Sequence, residues 1–150
     1  MRKSLFLLFI TLISSLLLLE CKTQDYTPYD YDGEVLIFGK GGGFTGQSIE
    51  YSLLSNGQLF MNTHKEGNVT ELKRVEKSVA KQIFSNFHSL GFGDLDVNKP
   101  GNTYYYLGFR HDGKAHKIQW GAHDYKTPQT LKIYFSNLMA IVKSLQKDAQ

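Results

Sequence analysis

Cysteine is nearly absent from this chain of 150 residues: Cys21 is the only one. A lone cysteine in an exported chain cannot close an intramolecular disulfide. A zinc site would have to be built from histidine and carboxylate alone. Concentrated positive charge is missing too. The net charge is +3, and basic residues run no longer than pairs such as Lys73-Arg74, whereas nucleic-acid binding needs a basic patch or stripe. The 5 histidines include no HxxxH or HExxH pair, and there is no G-x-S-x-G elbow. Zincin and α/β-hydrolase chemistry therefore have no motif to rest on. No pattern repeats at a fixed period, which sets repeat architectures aside.

The residues present are distinctive from the start of the chain. Arg2 and Lys3 precede an almost wholly apolar run from Leu5 to Leu19, broken by Thr11, Ser14 and Ser15. A basic start and an apolar run of up to about 15 residues make a secretory signal peptide, while a membrane-spanning helix needs roughly 20. Residues 1–20 are therefore expected to be a signal peptide. The run ends in Leu17-Leu18-Leu19-Glu20-Cys21, which resembles the lipobox of bacterial lipoproteins, although Glu20 stands where that motif has a small residue. The resemblance implies that Cys21 is lipidated with two or three acyl chains, palmitate among them. More than one chain is what stable anchoring requires. The expected address is the cell envelope, on the outer membrane, with the periplasmic and outer surfaces both open. Residues 21–33 are expected to be the lipidated cysteine and a polar tether. Its 12 residues from Lys22 to Gly33 reach roughly 40 Å at about 3.3–3.6 Å each. One or two of Tyr26, Tyr29 and Tyr31 would pack where the domain begins.

Residues 34–150 suffice for one domain with a single core. Glu34–Phe38 reads as a buried strand. Gln47–Leu53 alternates, with Ile49, Tyr51 and Leu53 on one side, the period of a half-exposed strand. Asn56-Gly57 supplies the pair that a two-residue type I′ hairpin needs, and Gln58–His64 returns. Val69–Arg74 offers a further strand. From Val75 to Leu90 the period changes: Val75, Val79, Ile83, Phe87 and Leu90 predict an amphipathic helix with Gly91 at its C-cap. Thr103–Arg110 and Lys114–Trp120 form a second hairpin. Thr127-Pro128 opens a last helix with Leu131, Phe135, Leu138, Val142 and Leu145 buried. Hairpins dominate and no βαβ unit appears. The expected class is α+β: an antiparallel sheet of about five strands with two helices packed on one face.

Four segments are distinctive: FGKGGGFTG at Phe38–Gly46, YSLLSNGQLF at Tyr51–Phe60, PGNTYYYL at Pro100–Leu107 and IQWG at Ile118–Gly121. Together they resemble a set of small uncharacterised Bacteroidota lipoproteins carrying a GGGFTG motif, over about Glu34 to Leu145. The resemblance implies the fold just derived and an envelope location, and it implies no activity.

The glycine run matches G-x-G-x-x-G, but the dinucleotide fingerprint needs a helix after it, and Gln47–Leu53 alternates like a strand. A hairpin connection or bulge is the expected role, with Phe44 and Thr45 the side chains there able to touch a partner. Tyr104 and Tyr106 share one face of their strand and Tyr105 takes the other; Trp120 ends the strand beside it. Tyr104, Tyr106 and Trp120 are the candidate aromatic surface for a protein or glycan, against the alternative that they pack in the core. His116, His123 and Asp124 are the candidates for metal-dependent hydrolysis, weak because they share no ligand spacing. Three functions are compatible with the sequence: a non-catalytic binding or structural module on the envelope, needing no cofactor and no nucleic acid; a small hydrolase or metal-dependent enzyme; and an inhibitor presenting the glycine-rich loop.

Overall fold

The computed structural model describes residues 25–44, 46–63 and 68–147. Cys21, the expected signal peptide 1–20 and Thr45 lie outside the described residues. Strands β1 (Val35–Gly42), β2 (Ile49–Leu54), β3 (Leu59–Thr63) and β4 (Asn68–Glu71) are followed by helix α1 (Lys77–Ser89). Then come β5 (Asn98–Lys99), β6 (Thr103–His111), β7 (Lys114–Trp120) and helix α2 (Gln129–Lys147). The strands form one sheet in the order β4-β3-β2-β1-β6-β7-β5. Neighbours are antiparallel except β5 and β7, which are parallel. The α+β class is as expected. The strand count is not: among the described residues there are seven strands rather than about five, and the sheet is mixed. The weakly patterned stretch before α1 does pair, and Asn98-Lys99 adds a strand of two residues, too short to carry any period.

The hairpin turns differ from expectation. Asn56-Gly57 is not a two-residue type I′ loop. Gly57 alone has positive φ there, at 95°, and its N–H donates to the Leu54 carbonyl at 2.9 Å. Leu54 N–H donates to the Gln58 carbonyl at 2.9 Å, so the loop holds three residues closed by a glycine bulge. Asn56 acts through its side chain instead, accepting from the Gln58 N–H at 2.9 Å. The type I′ conformation appears in the other hairpin, where Asp112 and Gly113 have φ of 49° and 71° between the paired His111 and Lys114.

Helix α1 buries Ala80, Ile83, Phe84 and Phe87, an i, i+3, i+4, i+7 stripe, and leaves Val79 and Leu90 exposed. The expected stripe is thus rotated by a few tens of degrees. Its end is a Schellman closure: Gly91 N–H donates to His88 O at 3.0 Å and Phe92 N–H to Phe87 O at 3.3 Å. The rings of Phe87 and Phe92 meet at 6.0 Å across it. In α2, Leu131, Tyr134, Phe135, Leu138 and Val142 are buried. Among the described residues no helix is long and apolar enough to cross a membrane.

Two cores result. The larger joins the buried residues of both helices to Leu36 and Phe38 of β1, Leu53 of β2, Leu107 of β6 and Ile118 and Trp120 of β7. The smaller takes residues of opposite parity, Val35, Leu54 and Phe60, and meets Tyr26 and Tyr31. The expected tether is therefore, in its described part 25–33, a strap on the domain. Gln58 holds it. This side chain is fully buried, its carboxamide accepting from Tyr26 N–H and donating to Tyr26 O, both at 3.2 Å. Its oxygen also accepts from Asn56 Nδ2 at 2.9 Å, and its nitrogen donates to Glu71 Oε1 at 3.2 Å. A buried amide so satisfied fixes one arrangement, because leaving any partner unpaired costs about 1–3 kcal/mol. Tyr31 Oη lies 2.8 Å from Ser55 Oγ, Arg110 donates to Pro28 O, and Arg74 pairs with Asp25 at 2.6 Å.

Candidate functional site

The first part of the glycine run belongs to strand β1, which continues past Phe38 to Gly42. Gly39 and Gly41 point to the face away from the helices, opposite Tyr106 and Tyr104 in register. The tyrosine rings occupy the space that side chains on those glycines would fill. A Cβ on Gly39 would overlap the Ile49 carbonyl oxygen and sit 2.7 Å from Tyr106 Oη; one on Gly41 would sit 2.7 Å from Tyr104 Oη. Aromatic cover of this kind restores packing to a glycine in a strand. Gly42 has φ of +86°, and a Cβ there would overlap the Asn102 carbonyl oxygen. That oxygen accepts from Gly43 N–H at 2.8 Å. The run is thus a steric device of the β1–β2 connection, with Phe44 fully exposed in the loop beyond it.

The candidate aromatic surface divides. Tyr106 is only 3% exposed. Its hydroxyl donates to Glu50 Oε2 at 3.2 Å, and Lys117 Nζ lies 4.4 Å from its ring centroid. Burial, and then the nearby Glu50 charge, push its phenol far above the ordinary value, so it remains a neutral donor. Its ring is packed within the fold, and the ring of Tyr104, which covers Gly41, lies 6.3 Å from it between centroids. Trp120 is on the opposite face, in register with Tyr105. Odd and even positions of β6 face opposite ways, so Trp120 cannot join Tyr104 and Tyr106. It stacks with Tyr105 at 6.0 Å and meets Phe135 of α2 edge-on at 5.3 Å. Tyr105, 37% exposed, meets the same ring at 5.5 Å. These three aromatics, with Ala122, Thr127 and Lys132, line an open pocket of about 360 Å³.

Register puts this pocket and Phe44 at one end of the sheet and the strap at the other. Trp120 is in line with Tyr105 and Lys40, two residues before β1 ends, whereas Val35 at its start is in line with Leu54 and Arg110. The eight residues of β1 separate the two ends by about 23 Å.

The histidine candidates do not converge. His116, near the start of β7, lies with Nε2 3.1 Å from Leu95 O. His123 and Asp124 come after the far end of that strand, and both are exposed. Among the described residues no three His, Cys, Asp or Glu side chains gather as metal ligands would. His111 and His116 are not cross-strand partners either: His116 pairs with Phe109 and His111 with Lys114.

Two features escaped sequence reasoning. Phe135 reads there as an ordinary buried helix position, and only the fold brings it to Tyr105. The charged residues under the strap, Glu50 and Arg110, sit on polar faces of separate strands and carry no sequence signal. No protein-family model matches the chain, and no curated protein is similar to it.

Proposed function

We propose that the chain is a lipid-anchored protein of the cell envelope, related to the small Bacteroidota lipoproteins it resembles, whose single α+β domain is a binding module without catalysis of its own. Both helices pack on one face of the sheet and the strap on the other. Cys21 carries the lipid that holds the protein to the outer membrane. The partner is a protein or a glycan, met through Tyr105, the edge of Trp120, Phe135 and the exposed Phe44. One observation carries this reading: the aromatic pocket and Phe44 stand at the end of the sheet opposite the strap that leads back to Cys21. An anchor at one end leaves the other free to reach a partner. Aromatic side chains in an open pocket supply large contact area at little loss of conformational freedom.

Full exposure of Phe44 also favours the second reading, an inhibitor whose glycine-rich loop enters a partner's cleft. Hydrolysis through His116, His123 and Asp124 would need side chains that stand apart here to meet.

Two experiments test the proposal. Mass spectrometry of the membrane fraction should find an acylated N terminus at Cys21 that is lost in Cys21→Ser; an acylated, anchored Cys21→Ser protein would contradict the anchor. Affinity capture from envelope extract should retain a partner that Tyr105→Ala and Phe44→Ala together release. Undiminished capture by that variant would contradict the contact surface.

A further inference from the structure

Beneath the strap, on the face away from the helices, lies a cavity of about 200 Å³. Its walls are apolar at Ile37, Phe60 and Val69 and polar at Glu50, Ser52 and Asn62. Pro28 and Tyr29 of the strap border it, and Arg110 stands beside them with its guanidinium donating to Pro28 O. Three features are unusual together. Asn62 Oδ1 is buried and has no hydrogen-bond donor among the described residues, and an unsatisfied buried acceptor is a standing cost. Glu50 accepts from the Tyr106 hydroxyl but forms no ion pair among the described residues. Arg110 forms none either, and four of its five N–H donors remain beyond the one given to Pro28.

Glu50 and Arg110 do not pair with each other because the register keeps them apart. Glu50 is in line with Gly39, and Arg110 with Val35, four residues away along β1 and on the other side of it. One cavity therefore has an acceptor end, Glu50 with Asn62, and a cationic end at Arg110, with apolar wall between. The chemistry missing from it is an ammonium for the first, a carboxylate for the second and a short aliphatic body for the wall. We propose that this cavity binds a small zwitterion, an ω-amino acid whose ammonium and carboxylate stand at opposite ends of a short methylene chain. Its ammonium donates to Glu50 and Asn62 Oδ1, and its carboxylate accepts from Arg110. Since Arg110 also holds Pro28, an occupied cavity tightens the strap. The site is separate from the aromatic pocket and independent of it.

Titration calorimetry on the full chain in detergent micelles tests this with three probes: 4-aminobutyrate, n-butylamine and butyrate. 4-Aminobutyrate is expected to bind saturably, and each single-charge probe at least tenfold more weakly. Glu50→Gln and Arg110→Met should each weaken 4-aminobutyrate at least tenfold. Absence of saturable 4-aminobutyrate binding, equal binding of n-butylamine or butyrate, or undiminished binding by either variant would overturn the proposal. If a variant unfolds, nuclear magnetic resonance of the wild-type chain decides. 4-Aminobutyrate should shift the Asn62 side-chain amide and the Ser52 amide before any signal of α2; shifts confined to other regions would overturn the assignment.

Discussion

Gly39→Ala is the most incisive perturbation of the fold. The added methyl overlaps the Ile49 carbonyl oxygen, which is backbone in the neighbouring strand, and lies 2.7 Å and 2.9 Å from Tyr106 Oη and Cζ. Backbone cannot swing away, so the two strands must separate or the ring must leave. Overpacking of this kind costs about 1–3 kcal/mol. A displaced ring also gives up its hydrogen bond to the Glu50 carboxylate, worth about 1.5–3 kcal/mol. The expected loss is therefore about 3–5 kcal/mol, a large part of the roughly 5–15 kcal/mol that holds such a domain together. Gly41→Ala is the internal control. Its nearest neighbours are the far end of Tyr104 and, at 3.2 Å, Ser48 Cβ. Tyr104 is partly exposed and can move, so about 1 kcal/mol is expected, at the low end of overpacking. Combining Gly39→Ala with Tyr106→Ala should not restore stability, because the clash with Ile49 stays and the bond to Glu50 and the burial of the ring are lost outright. Urea unfolding followed by Trp120 fluorescence measures all four proteins. A Gly39→Ala protein within about 1 kcal/mol of wild type, below the overpacking range, would refute the steric reading of the glycine run and reopen a ligand role for it.

Gln58→Leu keeps the volume but strips the pairs from Tyr26 and Glu71. It should cost about 2–4 kcal/mol from the groups left unpaired, and hydrogen exchange at residues 25–33 should rise well before exchange in β1; equal protection of the strap would contradict its clamp. Alkaline pH should destabilise the domain in a directed way. Tyr51, Tyr106 and Tyr134 are all raised, first by burial, from an ordinary value of 10.0. The folded form keeps protons that the unfolded form sheds, so the stability these tyrosines contribute is whole below pH 10 and declines above it. The slope approaches about 1.4 kcal/mol per pH unit for each tyrosine. Tyr134→Phe should flatten that decline between pH 10 and 11.5, and an unchanged slope would contradict the burial effect.

Much of this fold is legible in sequence where period and turn chemistry agree. Alternation in β2, the helical stripe of α2 and Gly91 at the C-cap of α1 all read directly. The division of Tyr105 from Tyr104 and Tyr106 reads directly too. Asp112-Gly113 holds more than its dipeptide shows: a two-residue loop pairs His111 with Lys114, and tracing that register back along both strands brings Tyr105 beside Trp120. Asn56-Gly57 misleads because the same residue types serve two turns, and buried Gln58 favours the three-residue one by binding Asn56 and the strap at once. Gly39 to Gly42 extend a strand against glycine's own preference because Tyr104 and Tyr106 come from β6, more than sixty residues later in the chain. No local window contains that cover. The cavity under the strap is illegible for the same reason: Pro28, Glu50, Asn62 and Arg110 meet only after the four strands β3, β2, β1 and β6 are in place.

In the proposed binding mode, the end of the sheet opposite the strap meets the partner. In-cell photo-crosslinking tests it most directly, with p-benzoylphenylalanine replacing Phe44, Tyr105 or, at the strap end, exposed Asp112. Crosslinks to one and the same partner from positions 44 and 105, with none from 112, are the expected result. A crosslink from 112 alone, or from none of the three, would contradict it.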